Sequence, residues 1–354
     1  MKRLDSILKE MMEKKASDVI LEVGSPVCMR VNGELFKDKD ALTEEDLNSS
    51  VGEIIKKSHK QDFDDRKETV LSFGIKDVGR FRATIFRQRG SLAIVVRSIN
   101  RDIPGFKDLN LQVKVLDGLC AEKRGLVLVT GTTGSGKSTT VASMLEHINQ
   151  NYSKHIVTLE DPIEFLFEDK KSIISQREVR TDTKSFKDAL EYIMLQTPDV
   201  VFIGDIRNAE VMSTALTAAE TGQLVIANLH TINTSHTIER IVNFFQPHQH
   251  DEIRMQLSLL IKGILSLRLV PLKDGSGRVP AIETLIATPT ILELIREGKI
   301  NEIEYYIKDG SMYDMQTFDQ ALVSLYRSGK ITKDTAILYA ERKSEVTMAL
   351  KELR

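Results

Sequence analysis

The sequence predicts an α/β protein whose centre is a parallel sheet covered by helices on both faces. Short apolar runs at 126–130, 156–159, 200–203 and 224–229 alternate with stretches of helical spacing, as strands buried on both faces do. The first run enters a glycine-rich loop, and the helical face marked by Val141, Met144, Leu145 and Ile148 follows it. Ahead of this region lies a shorter one that reads as α+β, a single helical pattern followed by several strand-like stretches.

In chain order, Leu4, Ile7, Leu8, Met11 and Met12 recur at helical spacing and predict an opening helix. Strand character follows at 19–21, at 29–31 before a turn at Asn32-Gly33, and around Leu71, Phe81 and Leu92. These make residues 1–100 the α+β domain. Pro104-Gly105 mark 101–111 as a linker. The sheet domain then occupies 112–270. Beyond Pro271, the turn Lys273-Asp274-Gly275-Ser276-Gly277 leads into short polar helices, so 271–354 is expected to be helical. There is no internal repeat and no low-complexity segment.

Composition narrows the function classes. Two or three domains fit in 354 residues. Lys plus Arg total 49 against 51 for Asp plus Glu, so no global basic field invites nucleic acid or an anionic membrane, and no nucleic-acid partner is expected. Two separated cysteines, Cys28 and Cys120, suit a reduced compartment and make neither a disulfide framework nor a paired C-x-x-C site. Apolar runs fall well short of the roughly 18 residues of a membrane span, and charge returns at once after Met1-Lys2-Arg3-Leu4-Asp5, unlike a signal peptide. A soluble cytoplasmic protein is the expectation.

The strongest local signal is Gly131-Thr132-Thr133-Gly134-Ser135-Gly136-Lys137-Ser138, followed by Thr139, which fits G-x-x-x-x-G-K-[ST] at each fixed position. Glycines let backbone N–H groups converge on phosphate oxygens, and the helix N-terminus adds partial positive charge. Lys137 suits the β and γ phosphates. Ser138 offers the hard oxygen that Mg²⁺ takes. ATP or GTP with Mg²⁺ is therefore expected. Hydrolysis needs further polar groups beside the loop, and the sequence places them at strand ends. The run at 156–159 ends at Glu160-Asp161-Pro162, the run at 200–203 passes Gly204 into Asp205, and the run at 224–229 ends at His230-Thr231. Asp205 could hold Mg²⁺ through water, Glu160 or Asp205 could orient the attacking water, and His230 could sense a γ-phosphate.

These motifs resemble those of the type IV pilus retraction ATPases, the PilT and PilU branch of the secretion-ATPase superfamily of hexameric P-loop motors. Further matching stretches are Ala16-Ser17-Asp18, Arg30-Val31-Asn32-Gly33, Gly79-Arg80-Phe81-Arg82, Glu160-Asp161-Pro162-Ile163-Glu164-Phe165, Gln176-Arg177-Glu178-Val179 and Ala218-Ala219-Glu220-Thr221-Gly222. The resemblance implies a PAS-like N-terminal domain, a RecA-like ATPase domain with C-terminal helices, and an ATP-hydrolysing homohexamer that retracts pili. It also implies a cytoplasmic place at the inner-membrane base of the pilus machine, against a platform protein. Three departures stand out: Asp205 where the family usually has Glu, Gln223 where it usually has His, and 290–297 without the usual first Arg and Asn. Residues 315–322 look more like the PilU end of the branch, which implies an accessory motor beside a PilT-like ATPase.

From Arg80 to Arg101 there are six arginines and no acidic residue. A solvated strand face and a nucleic-acid stripe both accommodate them. The resemblance implies a third role, in which Arg82 and Arg97 cross a subunit boundary to ATP bound next door, where an always-charged guanidinium suits a transferring phosphate. Two other functions stay open: a nucleotide-binding ring subunit with weak catalysis, suggested by Asp205, and a DNA-translocating P-loop hexamer.

Overall fold

The computed structural model describes residues 4–351 apart from 32, 56, 100 and 101. Asn32 of the expected turn and Arg101 of the arginine run lie outside the described residues, as do Met1-Lys2-Arg3. The chain divides into two compact units, residues 1–101 with 164–166, and 102–163 with 167–354.

The first unit opens on α1 (Leu4–Glu13), continues through β1 (Asp18–Glu22), β2 (Pro26–Val31) and β3 (Glu34–Ala41), then α2 (Glu44–Ile54) and α3 (Lys57–Arg66), and closes on β4 (Glu68–Ile75), β5 (Gly79–Gln88) and β6 (Ser91–Ser98). Its sheet runs β3-β2-β1-β6-β5-β4 and every pairing is antiparallel. Strand alternation decides what is buried: Phe81, Ala83 and Ile85 pack with Leu4, Leu8, Met11, Leu47 and Val51 of α1 and α2. Arg82 and Thr84 therefore take the other face.

The second unit begins with α4 (Val113–Cys120), β7 (Gly125–Thr130), α5 (Lys137–Asn151), β8 (His155–Glu160), β9 (Ile173–Glu178) and α6 (Phe186–Ile193). It continues with β10 (Val200–Ile203), α7 (Ala209–Glu220), β11 (Leu224–Leu229), α8 (Thr234–Val242), α9 (His250–Leu260), β12 (Ile261–Pro271) and β13 (Arg278–Ile286). The sheet order is β13-β12-β7-β11-β10-β8-β9, parallel except for the β12–β13 pair. One face packs on α6 to α9 through Leu126, Leu128, Val201 and Ile203, and the other packs on α4 and α5 through Val127, Val129, Val200 and Phe202. The helices α10 (Pro289–Glu297), α11 (Ile303–Asp309), α12 (Phe318–Arg327), α13 (Lys333–Tyr339) and α14 (Lys343–Lys351) complete the chain.

Two sequence expectations need correction. The stretch 101–111 is not a bare linker, because Phe106 and Leu111 are buried in the core that α4 and α5 share. Isolated apolar residues carry no period, so their burial was not readable. Nor is 271–354 wholly helical, since β13 extends the sheet as its antiparallel edge. Pro280 sits in this strand, a placement that edge strands tolerate because a missing N–H costs no interior ladder bond.

Candidate active site

The phosphate-loop sequence joins β7 to α5 as a tight turn. At Gly131, φ is +145°, and a Cβ would strike the Leu267 carbonyl oxygen at 2.6 Å, so only glycine fits. Lys137 starts α5 and is buried; its Nζ donates to the carbonyls of Gly131 at 2.7 Å and Thr132 at 2.9 Å. Thr132, Thr133 and Gly134 are exposed, Ser135 is buried, and Gly136, Ser138 and Thr139 are half-buried at the turn and first helical residues.

Around this loop the parallel register aligns the strand ends. His230, just past β11, lies between two partners: its Nδ1 is 3.4 Å from Lys137 Nζ and its Nε2 is 3.4 Å from Asp205 Oδ2. An ammonium can only donate, so Nδ1 accepts and the ring proton belongs on Nε2, facing the carboxylate. Asp205, just past β10, is 8% exposed. Its Oδ2 accepts from Arg207 Nε at 2.6 Å, while its Oδ1 is buried without a hydrogen-bond partner. The backbone ties this corner together, because Ile206 N–H donates to the Asn228 carbonyl at 2.9 Å. Lys137, His230 and Asp205 are thus one linked cluster. The hydroxyl of Ser138 and the unpartnered Asp205 oxygen are hard oxygen donors, the kind a hydrated divalent cation takes.

Glu160 ends β8, next to β10. The two strand ends approach closely, since a Cβ on Gly204 would lie 3.3 Å from Glu160 Cα. Glu160 is 6% exposed and its Oε1 accepts from Thr158 Oγ1 at 2.7 Å and Gln176 Nε2 at 3.3 Å. Arg82 and Arg97 belong to the first unit, where they sit directly opposite each other on β5 and β6. The same cross-strand row holds Asp18 and Arg30. Arg97 donates to buried Asp18 at 2.8 Å, and Arg30 lies 3.7 Å from it.

Sequence reasoning missed two residues, one bonded to Asp205 and one buried beside the first turn of α8. Arg207 follows Asp205 by two positions, and the carboxylate raises its guanidinium above the ordinary value; the basic residue in Asp205-Ile206-Arg207 was the available signal. Glu283 on β13 is 3% exposed and accepts from the Thr234 N–H at 2.8 Å. Nothing local announced it.

The sequence profile of the family described as type II/IV secretion system protein matches residues 1–349. The type IV pilus ATPase PilU of Pseudomonas aeruginosa is 38% identical over 98% of this chain and 91% of its own length. The type IV pilus retraction ATPase PilT of the same organism is 38% identical over 91% of this chain and 93% of its own. Among solved structures, the pilus retraction motor PilT with bound ADP superposes with a TM-score of 0.90 at 45% identity, covering 98% of this chain and all of that one. A phosphate loop with its lysine, carboxylate and histidine gathered on a parallel sheet, inside a near full-length match to two pilus ATPases, has one reading: the chain belongs to the type II/IV secretion system protein family, as a nucleotide-binding ATPase of the branch that holds PilT and PilU.

Proposed function

We propose that this protein is an ATP-hydrolysing, homohexameric motor of type IV pilus retraction that works at the inner-membrane base of the pilus against a platform protein, as a PilU-like accessory to a PilT-like ATPase. The observation that carries the proposal is the Lys137–His230–Asp205 cluster beside a complete phosphate loop. Residues 131–139 cradle the phosphates and Lys137 neutralises the β and γ groups. The donor set fits Mg²⁺, which Ser138 and Asp205 would hold, the latter through water; when bound, the ion supplies charge neutralisation at the phosphates. Asp205 or Glu160 orients the attacking water, and His230 faces the γ-phosphate. Arg82 and Arg97 serve the nucleotide of a neighbouring subunit. Balanced charge favours this reading over a DNA-translocating hexamer.

The test measures ATP hydrolysis by the full-length protein, and pilus retraction with this protein as sole motor and again beside a PilT-like ATPase. Lys137→Ala is expected to abolish hydrolysis, because the positive charge that neutralises the β and γ phosphates is lost while the loop can still fold. Near-normal turnover in that variant refutes the loop assignment, and turnover that rises only with DNA favours a translocase. Retraction unchanged by the protein's presence in either strain overturns the pilus role.

A further inference from the structure

We infer that Glu283 is a positioning residue for His230, holding the first turn of α8 and, through it, the short segment that carries the histidine. The inference rests on the reading of His230 as a group that faces the γ-phosphate.

A fully buried glutamate is unusual without a cation, and among the described residues no lysine or arginine pairs with Glu283. Its carboxylate is instead aimed at a helix N-terminus, where N–H groups lack intrahelical partners and carry partial positive charge. Thr234, the first residue of α8, is fully buried and gives its N–H to Glu283 Oε1. The N-cap Asn233 takes the N–H of His236 at 3.0 Å. The turn is knotted internally: Thr237 Oγ1 donates to the Asn233 carbonyl at 2.7 Å and meets Thr231 Oγ1 at 2.6 Å. Residues 231–237 are therefore bonded into one block, and His230 is attached to its front.

Glu283 fixes this block to the sheet. It lies opposite Ser266 on β12, and Ser266 lies opposite Thr130, the residue before Gly131. Ser266 and Thr130 join hydroxyls at 2.8 Å. One cross-strand row thus links the base of the phosphate loop to the strand residue that anchors α8. His230 needs such an anchor, since both its contacts are 3.4 Å long, near the limit of a hydrogen bond. A small displacement of the block breaks either.

The experiment compares kcat for ATP hydrolysis, the dissociation constant for ADP and the melting temperature in the full-length protein and five variants. Glu283→Gln keeps an acceptor for Thr234 and should retain kcat. Glu283→Leu removes the acceptor; Thr234→Pro removes the donor at a helix position that proline suits. Each should lower kcat by about tenfold or more, as misplacements approaching 1 Å do, with ADP affinity unchanged. The double variant Glu283→Leu/Thr234→Pro leaves neither group unpaired, so its melting temperature should recover while kcat stays low. Wild-type kcat in folded single variants overturns the inference, as does a double variant in which kcat recovers together with stability. His230→Ala separates the two readings. A slow His230→Ala beside a fast Glu283→Leu defeats the inference alone, whereas a His230→Ala variant as active as the parent defeats the role given to His230 and this inference with it.

Discussion

At Asp205 a single methylene separates this chain from the Glu usual in the branch it resembles. The shorter side chain sets the carboxylate roughly 1.3 to 1.5 Å further from a water held at the γ-phosphate, and displacement on that scale can cost about 100-fold in rate. Its Oδ2 is also held by Arg207 at 2.6 Å. Slow intrinsic turnover follows on the proposed role, in keeping with an accessory motor. Asp205→Glu is expected to raise kcat, by up to about tenfold, and Asp205→Asn to lower it by at least about as much, with ATP affinity nearly constant in both. Steady-state rates for the two variants that match the parent would remove Asp205 from the chemistry and leave Glu160 as the candidate. The phosphate-loop motif was legible because its residues are contiguous and follow one fixed spacing. Arg207 and Glu283 were not, because their meaning comes from partners that only folding brings close.

Among the elements, the β12–β13 hairpin shows how a buried charge enters a stability curve. Burial pushes the Glu283 carboxyl from 4.5 up to about 7, opposed by the Thr234 N–H and reinforced by the like charges of Glu341 and Glu304. The folded state thus holds this proton more tightly than the unfolded chain. Relative to a neutral residue, its effect is nil below pH 4.5, becomes increasingly destabilising as pH rises towards 7, and is constant above it. The full span is on the order of 3 kcal/mol. Glu283→Gln should therefore melt higher than the parent at pH 8 and close to it at pH 4.5; melting curves whose separation does not change with pH would show that the carboxyl is not shifted. The strands at 126–130, 156–159, 200–203 and 224–229 were readable because burial on both faces makes them mostly apolar, with Thr130, Thr158 and Asn228 as the polar residues among them. By contrast β13, with Pro280 and Glu283 inside it, reads as neither strand nor helix.

At the scale of the whole molecule, the arginine row of the first unit carries the proposal of action between subunits. Arg97 is partly committed to Asp18, so its removal also disturbs the sheet around it. Arg82 has no such partner among the described residues, which makes it the cleaner probe. Rings that mix Arg82→Ala with Lys137→Ala subunits should regain part of the activity each lacks alone, since some interfaces then receive both intact halves. Titrating the ratio checks this, and no recovery at any mixture counts against an arginine supplied in trans. Two kinds of information meet in this protein. The sequence alone determined the N-terminal strands and the parallel sheet, and it proposed the phosphate loop, because glycine conformation, apolar period and the lysine's charge act within a few positions of the chain. Only the tertiary structure decided that 101–111 is partly core, that the sheet gains an antiparallel edge, that His230 stands between Lys137 and Asp205, and that Glu283 holds α8. Each of these depends on register between strands or on a contact such as Thr234 with Glu283, 49 positions apart, and chain order does not encode which distant groups will share one desolvated space.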